Sequence, residues 1–166
     1  RIPSRGLIGF QTEFRTMTSG LGLLFHVFDH YAPVSEREIA SRQNGVMISN
    51  GQGTVLGYSL FNLQERGKLM CAHGDEVYEG QVIGIHSREN DLVVNPLKGK
   101  KLTNMRAAGK DENIVLTTPI RYTLEQAMEF IEDDELVEIT PSSIRIRKRA
   151  LKELDRKRSG RVSESE

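Results

Sequence analysis

Apolar residues recur with two different periods along this chain, and the change of period divides it. Residues 3–18 place Leu7, Ile8, Phe10 and Phe14 at roughly helical spacing, behind a proline suited to a first turn and Ser4 as a cap, which predicts a helix. Ser19-Gly20 ends it. Residues 21–31 (LGLLFHVFDHY) are rich in aromatic and branched side chains and predict a strand, so the segment looks like half of a two-layer α+β unit. Ala32-Pro33 breaks the strand, and the polar run SEREIASRQ sets a domain boundary near residues 33–36.

From Gly45 onward short alternating runs with glycine punctuation predict strands. Residues 46–49 and 54–61 flank Asn50-Gly51-Gln52-Gly53, a hairpin signal because Asn and Gly tolerate positive φ. Residues 68–72, 81–87 and 92–95 follow as strands, with turns at 65–67, 73–75 and 88–91, and residues 114–117 resume the sheet. Residues 123–131 (TLEQAMEFI) predict a helix: Thr123 and Gln126 fit a capping box, and Leu124, Ala127, Met128 and Ile131 form its apolar face. Residues 136–139 and 143–147 read as closing strands around Thr140-Pro141, with Ile144 and Ile146 alternating with Arg145 and Arg147. The tail from Lys152 is charged and predicts a flexible end. The expected class is α+β: a fragment of a ferredoxin-like α/β unit, then a β-rich, barrel-like domain with one packed helix.

Composition changes the picture in one stretch. Residues 95–110 (NPLKGKKLTNMRAAGK) contain Lys98, Lys100, Lys101, Arg106 and Lys110 and no acid. Leu97, Leu102 and Met105 are scattered among these charges and cannot form a core face. A long exposed loop with concentrated positive charge is the electrostatic footprint of a phosphate-bearing partner, although the composition also suits a solvated surface. The formal net charge of zero hides this polarity, because acid gathers at residues 132–138 and base gathers again at Arg145, Arg147, Lys148 and Arg149.

Catalytic and metal signals are weak. Cys71 is the sole cysteine, which excludes an intrachain disulfide and a CxxC site. His26 and His30, on a strand, would stand about 13 Å apart, too far to share a metal. No GxxxxGK[ST] loop is present, so nucleotide hydrolysis is not expected of this chain, nor is a catalytic residue or resident cofactor. No apolar run of membrane-spanning length and no signal-peptide pattern occur, and the chain reads as a piece of a longer cytoplasmic protein. One local pattern points elsewhere: HGDEVYEGQVIGIH resembles the GDxVxxGQ hairpin of biotinyl- and lipoyl-carrier domains. A carrier or protein-interaction barrel is therefore the alternative, although Lys68 in GKLM lacks the Met-Lys-Met context of a modified lysine.

A wider resemblance covers essentially the whole chain. The stretch RIPSRGLIGFQTEFRTMTSGLGLLFHVFDHYAPV is similar to the second half of the fifth domain of elongation factor G-like translational GTPases. RQNGVMISNGQG, LFNLQERGKLM, HGDEVYEGQVIGIHSRENDLVVN, KGKKLTNMRAAGKDE and TLEQAMEFIEDDELVEITPSSIRIRKR resemble the C-terminal domain peculiar to the BipA/TypA family. The resemblance implies three parts: residues 1–34 as the end of the fifth domain, 35–150 as the ribosome-binding domain, and 151–166 as a flexible tail. It implies a ribosome-associated GTPase whose GTP and Mg lie in an upstream domain. The implied partners are large-subunit rRNA and A-site tRNA, in large-subunit assembly and stress-responsive translation, with no membrane and no small-molecule substrate. The expected RNA contacts are Lys98, Lys100, Lys101, Asn104, Arg106 and Lys110 in the loop, joined by Arg145, Arg147, Lys148 and Arg149.

Overall fold

A computed structural model describes residues 1–7, 10–34, 42–99 and 114–163. Near the start, Pro3 precedes a 3-10 turn at Ser4–Gly6, and α1 spans Phe10–Met17 with the Phe10 and Phe14 rings 6.0 Å apart. Ser19 (φ 51°) and Gly20 (φ 81°) turn the chain out of the helix. The predicted strand over residues 21–31 is not formed: residues 21–34 are neither helix nor strand. A strand exists only when a neighbour completes its ladder, and among the described residues none does. Leu21, Leu23, Phe25, Val27 and Tyr31 are accordingly exposed.

The β-rich part is organised around β1 (Val46–Ser49), whose four residues are all buried. It pairs antiparallel with β5 (Val82–His86), Val46 opposite Ile85, and parallel with β6 (Leu92–Val94), Met47 opposite Leu92. With β3 (Gly67–Leu69) the sheet order is β3-β5-β1-β6. Alternation along β1 sends Met47 to one face and Val46 and Ile48 to the other. On the first face Met47, Leu60, Leu63, Leu69, Ile83 and Val94 form one core. On the second, Val46, Ile48 and Val82 meet Ala127 and Ile146. Two small ribbons complete the architecture: β2 (Gly53–Thr54) with β4 (Glu76–Val77), and β7 (Glu135–Ile139) with β8 (Ile144–Lys148). The class is mixed α+β with open sheets, and the described strands close no barrel.

Several expectations are corrected. Residues 54–61 do not form a strand, and Asn50–Gly53 is not a hairpin turn between paired neighbours. The chain instead forms α2 (Gly57–Leu63), because Leu56, Leu60 and Leu63 share a helical stripe and the latter two enter the core. Residues 114–117 form no strand and are held by side chains. The tail is helical as α4 (Glu153–Ser163), with Lys157 paired to Glu153 at 2.6 Å one turn away.

The helix α3 (Leu124–Phe130) carries the predicted capping box, with Thr123 Oγ1 accepting from Gln126 N–H and Gln126 Oε1 from Thr123 N–H. Its buried face differs from expectation. Ala127, Phe130 and Ile131 pack inward, Phe130 with its ring 5.2 Å from that of Tyr122, whereas Met128 is 58% exposed. Met128→Asp should therefore change unfolding free energy by less than about 0.5 kcal/mol, as surface substitutions do. A loss of several kcal/mol in urea unfolding would place Met128 in the core.

Candidate nucleic-acid interface

Two short segments flank residues 100–113, and both are held by α2 and the turn that follows it. On the entry side Ser59 Oγ donates to the Asn95 carbonyl at 2.5 Å, and Leu56 N–H donates to the Pro96 carbonyl at 3.0 Å. Pro96 is itself buried, and Asn95 Oδ1 accepts from Leu97 N–H at 2.9 Å. On the exit side the Gln64 amide reads the backbone in both directions. Its Nε2 donates to Val115 O at 3.1 Å and its Oε1 accepts from Thr117 N–H at 3.0 Å. Gln64 belongs to a 3-10 turn, Gln64–Arg66, that extends α2 directly. Farther on, Ile120 N–H donates to Leu69 O at 2.8 Å, and Arg121 pairs with Asp75 at 3.1 Å. α2 with the turn that follows it thus holds the chain on both sides of residues 100–113. Ser59 and Gln64 were missed by sequence reasoning, because Ser59 falls in the expected strand 54–61 and Gln64 lies between it and the expected turn at 65–67. The signal was the Leu56, Leu60, Leu63 spacing.

Of the predicted contact residues, Lys98 is exposed at the segment's entry. Lys100, Lys101, Asn104, Arg106 and Lys110 lie outside the described residues. Arg145 and Arg147 project from the face of β8 opposite the core, about a third exposed, each 3.7 Å from the Glu138 carboxylate. Glu138 also accepts from Tyr78 Oη at 2.6 Å, and burial together with that bond pushes the Tyr78 hydroxyl pKa up. Two guanidinium groups share one carboxylate, so this face retains positive charge. Arg149 is exposed just beyond the strand, its N–H donating to Asp134 O at 2.8 Å.

Lys148 is different: it is 1% exposed. Alternation puts it on the core face with Ile146, in cross-strand register with Glu135. Its ammonium meets Asp91 at 2.6 Å, Asp134 at 2.8 Å and Glu135 at 3.0 Å. Arg42 joins the same cluster through a two-pronged contact with Glu135, both distances 2.9 Å. Burial alone would push the Glu135 carboxyl up, but the Arg42 hydrogen bonds and the Lys148 charge outweigh it and hold the group below the usual carboxylate range. For Lys148 burial opposes the charge, yet the hydrogen bonds its ammonium donates to Asp134 and Asp91, with the Glu135 charge, hold its pKa above the ordinary value. A lysine so enclosed cannot reach a phosphate, so Lys148 belongs to the domain's interior.

Burial pushes the Cys71 thiol up to about 12, which leaves it protonated and unreactive at neutral pH. Lys68 lies within β3 opposite Ile85 rather than at a hairpin tip, unlike the modified lysine of a carrier domain. Among the described residues no helix is long and apolar enough to cross a membrane.

Two family profiles match the chain. The profile described as "Elongation factor G C-terminus" matches residues 1–42, and that of the "TypA/BipA C-terminal domain" matches residues 44–153. The chain is similar to the large ribosomal subunit assembly factor BipA of Escherichia coli K12, with 68% identity over 97% of this chain and 26% of that protein. The factors of the same name from Haemophilus influenzae and Buchnera aphidicola are 66% and 63% identical, over 99% and 94% of this chain and 27% and 26% of theirs. The chain thus spans about a quarter of the length of these relatives. With the specific C-terminal domain matched over most of its length, the chain belongs to the TypA/BipA family.

Proposed function

We propose that this chain is the ribosome-binding end of a translational GTPase that acts in large-subunit assembly and stress-responsive translation in the cytoplasm. Its basic segment and the outer face of β8 contact large-subunit rRNA and A-site tRNA, while GTP and Mg are bound by a domain outside this chain. The relatives' name, large ribosomal subunit assembly factor, supports the partner. The observation that carries the RNA reading is the double anchorage of the basic segment, whose two ends are hydrogen-bonded to α2 and its following turn. Lys98 and, along the sequence after it, Lys100, Lys101, Arg106 and Lys110 supply charges suited to a phosphate-rich surface, and Asn104 suits sugar or base edges. Folded RNA is met largely through phosphate, shape and 2′-hydroxyl contacts, which suits this composition. Arg145, Arg147 and Arg149 extend the positive surface; Lys148 is left out because it is buried.

The test is binding to purified large subunits over a salt series. Replacing Lys100 and Lys101 together by Ala should weaken binding and reduce the slope of log affinity against log salt by roughly 0.7–0.9 per lost contact. The melting temperature should stay unchanged. Wild-type affinity and slope in this folded variant would remove the segment from the interface. A larger loss for Arg145→Ala with Arg147→Ala would move the main contact to β8.

A further inference from the structure

Arg42 is the last residue matched by the elongation factor G profile, yet its side chain is only 11% exposed and is built into the domain that follows. Its Nε donates to Asn44 O at 2.6 Å, and Nη1 to Phe130 O at 3.1 Å and Glu135 Oε2 at 2.9 Å. Nη2 donates to Glu135 Oε1 at 2.9 Å and lies 3.3 Å from Glu132. The guanidinium carbon stands 4.4 Å from the centre of the Phe130 ring. The planar fork is thus engaged at its edge and at its face, a geometry that a lysine ammonium cannot reproduce.

The group that Arg42 grips is the root of the β7–β8 ribbon. Glu135 is the first residue of β7, and its carboxylate also contacts Lys148, the last residue of β8, at 3.0 Å. Lys148 N–H donates to Gly80 O, two residues ahead of β5, and Arg149 N–H donates to Asp134 O across the base of the ribbon, which closes the root. At the far end Thr140 and Ser143 bond each other through backbone and side chain, so the ribbon is tied at both ends. Arg145 and Arg147 stand on this ribbon only a few residues from Lys148.

We propose that Arg42 is a positioning residue: it clamps the joint between the two matched regions to the root of the β7–β8 ribbon and so sets where Arg145 and Arg147 are presented. The joint is then a fixed seat rather than a loose tether. The proposal rests on the reading of the ribbon as an RNA-contacting surface, and Arg42 itself touches no RNA.

The test uses the full-length protein with Arg42→Lys, Arg42→Ala and, as a contact control, Arg145→Ala with Arg147→Ala. Binding to purified large subunits across a salt series is combined with amide exchange along β1, β5, β7 and β8. Both Arg42 variants should weaken binding, roughly tenfold for Arg42→Ala if one charge-assisted fork is lost, while keeping the wild-type salt slope. Exchange should quicken in β7 and β8 while β1 and β5 stay protected, and lysine should fail to rescue. Wild-type affinity and ribbon protection in Arg42→Lys would overturn the proposal. A flattened slope in either Arg42 variant would also overturn it, by making Arg42 a phosphate contact. If Arg42→Ala exposes β1 and β5 as well, it has unfolded, and Arg42→Lys alone decides. If the contact control binds at wild-type strength and slope, the RNA reading of the ribbon falls by itself, and exchange in β7 and β8 still decides the positioning role.

Discussion

Lys148→Met is expected to destabilise the β-rich domain by about 3–5 kcal/mol, the range for removing one partner of a buried charge cluster. Methionine keeps the length of the stem, so the loss reports on charge rather than on a cavity. Most of it comes from Glu135, whose carboxylate has no exposed side-chain surface; Asp134 is 61% exposed and can turn to water. Equilibrium urea unfolding measures it, and a loss below about 1 kcal/mol would show that Arg42 alone compensates Glu135. The pH dependence has a defined sign. Because Glu135 is held below the ordinary carboxylate pKa, its contribution is present above that ordinary value, about 4.3, and fades as pH falls through the folded one. Because Lys148 is held above its ordinary value, its contribution is present below about 10.4 and fades as pH rises through the folded one. Stability should therefore be greatest between these limits, and Lys148→Met should flatten both limbs.

The second large effect is expected at Gly80. Its φ of +85° lies in the left-handed region, and a Cβ there would come within 2.6 Å of the Leu151 backbone. Gly80→Ala should cost about 2–4 kcal/mol, combining the left-handed penalty with a clash that only backbone movement can relieve. Gly74 provides an internal comparison, since its φ is +89° but nothing lies within 4 Å of the added Cβ. Gly74→Ala should lose only the left-handed penalty, about 1–2 kcal/mol. Equal losses at the two positions in thermal or urea unfolding would show that the contact with Leu151 yields freely.

Much of this fold was legible where local and tertiary forces agree. The Thr123–Gln126 capping box is a local device and forms as expected. The strands β1, β5, β6, β7 and β8 appear close to their expected places. Failures arose where one pattern serves two structures. Tyr58, Leu60 and Phe61 suit a strand by residue type, yet Leu56, Leu60 and Leu63 also make a helical stripe, and the core takes the second reading. Pairing was less legible still: the Asn50-Gly51 turn pointed to a hairpin, but β1 takes distant β5 and β6 as neighbours. For the candidate site, Lys98, Arg145, Arg147 and Arg149 have surface exposure, whereas Lys148 does not. The period-two alternation of Ile144 and Ile146 extends to Lys148 and places it on the core face, whereas by residue type it belongs with the basic run. Arg42 was hidden in a stretch that composition marks as a polar linker, because nothing local tells that its partners, Phe130 and Glu135, are so far along the chain.

Among the described strands, the central one is also the first to be made. During synthesis β1 emerges before either of its partners, and the cation that completes the cluster around Glu135 belongs to the last strand. Nearly the whole domain must leave the translating ribosome before its charges are matched and its sheet is closed. Long-range pairings of this kind form late and slowly. A chain ending before Lys148 would thus carry a strand buried on both faces in the finished domain with no finished domain around it, a substrate for proteolysis rather than a shortened working protein.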